Sequence, residues 1–317
     1  MASSTPSPVG SPHVSPEVTS TPRSTVALLL ISLRPEQWTK NLIVFAGALF
    51  GGQLTDPLAL AAATGTFAIF CALSGAVYLF NDVADRTADQ RHPLKRERPI
   101  ASGDLSPTLA IVVGCGLGLL AVGAAVAIRP MLGVLAAAYF ALLLLYSLVL
   151  KHLVIIDALT IAGGFVLRAA AGAVAIAVPI SHWLLVCTTL LALFLSFSKR
   201  RHELTLLAEG AIDHRRILHE YSPYLLDQMI AVVTASTLVA YAVYSTSAET
   251  AQRLGTTRLG LTIPFVLYGI FRYLYLVHQK RAGGSPAALL VTDGPLLACV
   301  ALWGLAVAVI LYTPMGR

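Results

Sequence analysis

Residues Leu58–Pro99 read LALAAATGTFAIFCALSGAVYLF and then NDVADRTADQRHPLKRERP, an apolar run long enough to cross a membrane that ends in acids and then bases. The polar part, Asn81–Pro99, holds the carboxylates Asp82, Asp85 and Asp89, followed by the cations Arg91, Lys95, Arg96 and Arg98. On a continuous helix, at about 100° per residue, Asn81, Asp82, Asp85 and Asp89 fall within an arc of roughly 100° on one face. Carboxylates crowded in this way repel one another unless a cation sits among them. Mg²⁺ suits such a place, since it takes a few carboxylates together with the oxygens of a substrate phosphate. The plainer alternative is a solvated acidic and basic loop between two membrane helices, which leaves the one-faced placement of the acids without a reason.

Outward from this stretch the chain has the composition of a membrane protein. Of its 317 residues 56% are hydrophobic and 12% charged, against about 25% charged in a typical soluble domain. Several apolar blocks exceed the roughly 18 residues that argue for a membrane span. The net charge of +6 therefore reads as loop charge and anion binding. No basic stripe accompanies a soluble recognition fold, so nucleic acid is not an expected partner. Cys71, Cys115, Cys187 and Cys299 all lie in apolar blocks without metal-ligand spacing and read as buried free thiols.

Residues 1–25 are rich in Ser, Thr and Pro. They hold too few large apolar groups to offset their ordering entropy and read as a disordered tail, without the pattern of a signal peptide. The rest, 26–317, reads as one all-α transmembrane unit of nine helices. The spans fall at about 36–54, 58–80, 107–128, 131–150, 154–178, 182–198, 227–246, 259–278 and 295–313. Asp56-Pro57, Ser106-Pro107 and Asp293-Gly294-Pro295 put a capping side chain ahead of a proline suited to a first helical turn, and Ser181 can cap the sixth span. The first span is interrupted at its start by Arg34, Glu36 and Lys40. The apolar Val26–Leu33 before it reads as an interfacial helix.

Loop charge gives an orientation. Connections after the even-numbered spans carry thirteen Lys and Arg, from Arg86 to Arg281; the others carry only Arg129, Arg253 and Arg258. By the positive-inside rule the acidic stretch and the N-terminus face the cytoplasm, in a multi-pass protein of the plasma (inner) membrane.

A second polar connection, Ser198–Ser222, contains SKRRHEL (Ser198–Leu204) and then DHRR (Asp213–Arg216). Lys199, Arg200 and Arg201 can donate charge-assisted bonds to phosphate, or can equally serve as a juxtamembrane cluster that touches lipid head groups. Glu203 is placed to pair with Lys199 at i,i+4. Asp157 and Arg168 lie in the fifth span, about 16 Å apart along a helix, and each must face the bundle interior or a wet cavity. Gly163 and Gly164 between them allow close helix approach. Tyr146 and Lys151 end the fourth span, and Tyr268, Arg272 and Tyr273 the eighth; these are either pocket-facing or interfacial anchors. No HExxH, Cys/His cluster, GxxxxGK[ST] or GxSxG is present.

NDVADRTADQRHPLKRERPIASG (Asn81–Gly103) resembles the NDxxDxxxD signature of the intramembrane prenyltransferase (UbiA) superfamily. RPEQWTKN (Arg34–Asn41) and DALTIAGGFVLRAAAG (Asp157–Gly172) are similar to that superfamily too. The resemblance implies nine helices around a central cavity that opens to lipid, capped by two cytoplasmic polar loops. Typical members carry a second Asp-rich motif after the sixth helix, where this chain has SFSKRRHEL. With that departure the chain most resembles the actinobacterial decaprenyl-phosphate phosphoribosyltransferases. The resemblance implies Mg²⁺-dependent transfer of a 5-phosphoribosyl group from phosphoribosyl diphosphate to polyprenyl (decaprenyl) phosphate, with release of pyrophosphate. The product would be an arabinan precursor for the cell wall. The alternative is a prenyl diphosphate-dependent aromatic prenyltransferase.

Carried over residue by residue, the resemblance assigns Asp82, Asp85 and Asp89 to Mg²⁺ and catalysis, Asn81 to the donor, and Lys95 and Arg98 to its diphosphate. Lys40 falls to an acceptor or donor phosphate, and Lys199, Arg200 and Arg201 to the 5-phosphate. Tyr146, Lys151 and Arg272 complete the expected substrate-binding set, with membrane lipid around the chain and homo-oligomerisation left open.

Overall fold

A computed structural model describes residues 24–93, 95–208, 220–280 and 286–313. The expected tail, the DHRR segment and Arg281 lie largely or wholly outside these. Every regular element among the described residues is helical. In chain order, α1 (Thr25–Ser32) is followed by a 3-10 stretch (Pro35–Phe45) and α2 (Ala46–Phe50). Next come α3 (Pro57–Ala84), α4 (Arg86–Arg91), α5 (Pro99–Ser102), α6 (Pro107–Ile128) and α7 (Pro130–Leu148). The remainder is α8 (Ile156–Ala175), α9 (His182–Ala208), α10 (Pro223–Thr246), α11 (Ala248–Leu254), α12 (Ile263–His278), α13 (Pro286–Thr292) and α14 (Gly294–Tyr312).

Eight of these helices are long and apolar enough to cross a membrane. Leu58, Leu119, Leu120 and Leu148 stand mostly exposed around the outside, as lipid-facing side chains do. The chain is an integral multi-pass membrane protein. The expected count of nine is approximate, because the first span, 36–54, is formed by the 3-10 stretch and α2. Eleven residues of 3-10 helix are unusual, since such runs rarely exceed three or four residues. The stretch packs backbone to backbone on α8: Gly172 lies against the carbonyl oxygen of Val44, and a Cβ on Gly47 would come within 2.8 Å of the Ala173 nitrogen. This is where glycine lets the helices approach. A Cβ on Gly163 or Gly164 would meet only side-chain atoms, of Leu142, Leu143, Tyr139 and Arg168, at ordinary distances, so the approach expected there is made between two and three turns further along the helix.

α3 and α8 form the centre, burying 56% and 61% of their apolar windows against 22% for the peripheral α6 and α14. Both central helices carry buried charged groups, Asp82 on α3 and Asp157 and Arg168 on α8. Asp56 and Asp293 cap as expected, accepting from the amides of Leu58 and Leu296, and Ser181 accepts from Leu184. Ser106 has the extended backbone of a cap, but its side chain makes no capping bond. The four cysteines are free; Cys71 and Cys299 are buried as expected, whereas Cys187 is half-buried and Cys115 exposed, because α6 turns that face outward.

Candidate active site

The acidic stretch does not form one continuous helix. Asp85 ends α3 and starts α4, with φ −90° and ψ 5°, and this junction separates the acids that the sequence pattern puts on one face. Asp82 and Asp89 are both buried and converge on Arg98: its Nη1 lies 3.1 Å from Asp82 Oδ1 and 2.7 Å from Asp89 Oδ2. Arg34 donates to the same Asp82 oxygen and lies over the ring of Tyr78, 4.7 Å from its centroid. Asp85, partly exposed, instead accepts from the buried Lys151 Nζ at 2.6 Å. Asn81 precedes Asp82 on the last turns of α3, half-buried, and Lys95 is half-buried in a short 3-10 turn, Lys95–Glu97.

Arg34 was not among the expected site residues. A signal for it exists in retrospect: it adopts φ 53° and ψ 65°, a left-handed conformation that non-glycine residues rarely hold without a constraint. Pro35 follows it and prevents the first apolar turn from continuing α1.

The basic turn belongs to α9. α9 runs on to Ala208, ten residues past the expected end of the sixth span, so Lys199, Arg200 and Arg201 are helical and point in different directions. Arg200 is only 2% exposed. Its Nε lies 2.7 Å from Asp157 Oδ2, its Nη1 3.1 Å from Glu203 Oε2, and Tyr146 is within its electrostatic reach. Asp157, fully buried at the start of α8, also accepts from the hydroxyl of Tyr221 at 2.9 Å. That hydroxyl in turn accepts from the Ile155 amide at 2.7 Å. Burial pushes the Tyr221 phenol up to about 12, so it remains a donor to Asp157 across the physiological range. Tyr221 gave no sequence signal, lying among polar loop residues. Arg201 reaches outward to Asp227 Oδ1 at 2.9 Å and Thr205. Lys199, 41% exposed, stands 3.8 Å from Glu203, which is the expected i,i+4 pair. Arg272 binds both oxygens of Asp293, at 3.1 and 2.8 Å, and holds that carboxyl below the usual carboxylate range; it ties α12 to the start of α14.

Below both turns a polar network runs through the bundle. Asn41 donates to Cys71 at 3.2 Å, Ser74 lies 3.4 Å from Asn41 and 3.0 Å from the Tyr139 hydroxyl, and Arg168 donates to that same hydroxyl. Lys40 is half-buried next to it, close enough to Arg168, Lys199 and Arg34 for all three to repel its ammonium.

Among the described residues no three His, Cys, Asp or Glu side chains close around one point. Two carboxylates converging on one positive group are what Mg²⁺ uses when water and phosphate oxygens complete its shell, and Asp82 and Asp89 meet that description.

Comparison with known proteins follows the same lines. The model of the UbiA prenyltransferase family matches residues 41–289. A Mycobacterium tuberculosis protein named decaprenyl-phosphate phosphoribosyltransferase is 32% identical over 92% of this chain and 98% of its own. A protein of the same name from Corynebacterium glutamicum is 30% identical over 92% and 89%. Among solved structures, a UbiA homologue from Archaeoglobus fulgidus bound to GPP and Mg²⁺ superposes with a TM-score of 0.69 at 18% identity, covering 88% of this chain and 99% of that one.

Proposed function

Since the chain belongs to the UbiA prenyltransferase family, we propose that it transfers the 5-phosphoribosyl group of phosphoribosyl diphosphate to polyprenyl (decaprenyl) phosphate. A phosphate oxygen of the lipid attacks C1 of the ribose, the bond from C1 to the diphosphate oxygen breaks, and pyrophosphate leaves with the electron pair. The observation that carries this reading is the nearly full-length likeness to mycobacterial and corynebacterial proteins named for this transfer. The charge pattern agrees with it: the second polar connection carries Lys199–Arg201 rather than a second set of carboxylates.

Asp82 and Asp89 would hold Mg²⁺, with Asp85 a third carboxylate beside them. Bound there, the ion would neutralise the diphosphate as negative charge grows on it. Arg98 and Lys95 would donate to the same diphosphate, Asn81 to the ribose side of the donor, and Arg34 would hold Asp82 in place. Lys151 would orient Asp85. We assign the 5-phosphate to Lys199, and not to Arg200 or Arg201, whose guanidiniums serve Asp157 and Asp227. Tyr146 and Arg200 would shape the wall between the turns, and Arg272 would fix the α12–α14 connection. The attacking phosphate is ionised at neutral pH, so the site needs no strong general base. Residues 26–317 would act as one unit in the plasma membrane, with the site facing the cytoplasm, as the thirteen-to-three bias of loop cations argues.

Purified protein given Mg²⁺, phosphoribosyl diphosphate and a polyprenyl phosphate should form a phosphoribosylated lipid and pyrophosphate. No product there, with alkylation of an aromatic acceptor from a prenyl diphosphate instead, would replace this reading with an aromatic prenyltransferase.

A further inference from the structure

Arg168 carries a charge that nothing described in the structure neutralises. It lies twelve residues beyond the start of α8, 7% exposed. One nitrogen donates to the Tyr139 hydroxyl, and the guanidinium lies against the rings of Tyr139 and Phe165 at 4.7 and 5.1 Å. Its Nε is buried without a hydrogen-bond partner. No carboxylate is within ion-pair distance of Arg168 or of Lys40 among the described residues, whereas Arg34, Arg98, Lys151, Arg200, Arg201 and Arg272 each have one.

A buried cation without a counter-ion is costly, more so inside a membrane bundle. Here the buried Arg168 and the half-buried Lys40 are within electrostatic reach of each other, and Lys199 adds to the repulsion; the exposed Glu36 is the acid that opposes it. Tyr139, Ser74 and Asn41 fix the surroundings, so the cluster is a built site rather than loose side chains. Positive charge gathered without a counter-ion calls for an anion, and the arginine fork favours one with several oxygens, as a phosphate monoester has. Ser74 lies eight residues before Asp82 on α3, so the cluster is about 12 Å further into the bundle.

We propose that Arg168 and Lys40 form a binding subsite for a phosphate monoester within the helix bundle, inward of the acidic site. The existence of the subsite stands on the unneutralised charge; which phosphate fills it rests on the transfer reaction proposed above. Two candidates share the chemistry, the lipid phosphate of the acceptor and the 5-phosphate of the donor, the latter held jointly with Lys199, which is within electrostatic reach of Lys40.

Equilibrium binding of ribose 5-phosphate and of farnesyl phosphate to the detergent-solubilised protein, wild type against Arg168→Gln, separates them. The variant should bind one of the two at least tenfold more weakly, and its unliganded melting temperature should hold or rise, since an unpaired buried charge is gone. Loss confined to farnesyl phosphate assigns the subsite to the acceptor, and loss confined to ribose 5-phosphate assigns it to the donor. Unchanged affinity for both would overturn the proposal whatever the melting temperature does, and would leave Arg168 as a packing partner of Tyr139. If Arg168→Gln does not fold, Arg168→Lys keeps the charge and loses the fork; a several-fold loss of affinity is then expected, and unchanged binding again overturns the proposal. Wild-type protein that binds these phosphates in an Arg168-dependent way but performs no transfer would sink the transfer reaction and not the subsite.

Discussion

The acidic stretch after α3 and the basic turn at the end of α9 have opposite charge in the sequence, yet both are built from ion pairs. They differ in which partner is buried and what could replace it. In the first, the buried members are Asp82 and Asp89, and their cations Arg34 and Arg98 are 20% and 27% exposed. A cation arriving with a substrate can compete for those carboxylates while the arginines turn to its phosphates. In the second, both members of the central pair are sealed: Arg200 is 2% exposed and Asp157 not at all. Nothing there can be exchanged without opening the fold. The first arrangement suits a site and the second a latch, although either can be drawn as a charged motif.

Breaking the latch should therefore have the largest effect, and on stability. Asp157→Ala strips the buried Arg200 of its sealed partner, leaving only Glu203, and removes the acceptor of Tyr221; breaking a buried pair costs about 3–5 kcal/mol. Denaturation of the solubilised variant measures this, and a loss below about 1 kcal/mol would erase the contrast between the two turns. Next come the exchangeable acids. Asp82→Asn and Asp89→Asn should lower turnover by about 10²–10³-fold with the melting temperature nearly kept, because Arg34 and Arg98 can reach water. Asp85→Asn should cost less, since that carboxylate is turned to Lys151. Equal losses for all three would mean that Asp85 swings to the metal during turnover. Within the basic turn, Lys199→Ala should raise the KM for phosphoribosyl diphosphate by about tenfold, the scale of one charged hydrogen bond, and leave the KM for the lipid phosphate unchanged. An unchanged donor KM would return Lys199 to its pair with Glu203.

Much of this was legible without coordinates, for physical reasons that also set its limits. Long apolar blocks must become helices in lipid, where every backbone polar group has to be satisfied within the segment, so seven of the spans lie close to where hydropathy puts them. The first span escaped that logic because its shape follows from contact, Gly172 against Val44 and Gly47 against Ala173, which no local pattern encodes. The acids of the site were readable as a cluster, but the turn at Asp85 that divides them was not, since helical spacing assumes an unbroken helix. Pairing was the hardest to read. Asp157 and Arg200 are 43 residues apart, and Arg34 and Asp82 are 48 apart; only the packing of α8 on α9, and of the 3-10 stretch on α3, brings them together. The sequence reports the sign of a charge, and the fold decides whether it is spent.

Arg201 isolates that last point at the smallest scale. It is a neighbour of both Lys199 and Arg200 in sequence, and by composition alone it has as good a claim on a phosphate as either. Its guanidinium bonds Asp227 and Thr205 on the outer side of α9, with both members of the ion pair substantially exposed. An exposed pair of this kind contributes about 0.2–1 kcal/mol, because water screens it and two long side chains must be held still. Arg201→Ala should therefore shift the denaturation free energy by less than about 1 kcal/mol and leave the donor KM as it was. A donor KM raised as far as in Lys199→Ala would mean that the guanidinium leaves Asp227 for the substrate. The basic turn would then work as the acidic one does, by exchange of partners, and the sealed pair of Arg200 and Asp157 would be its exception.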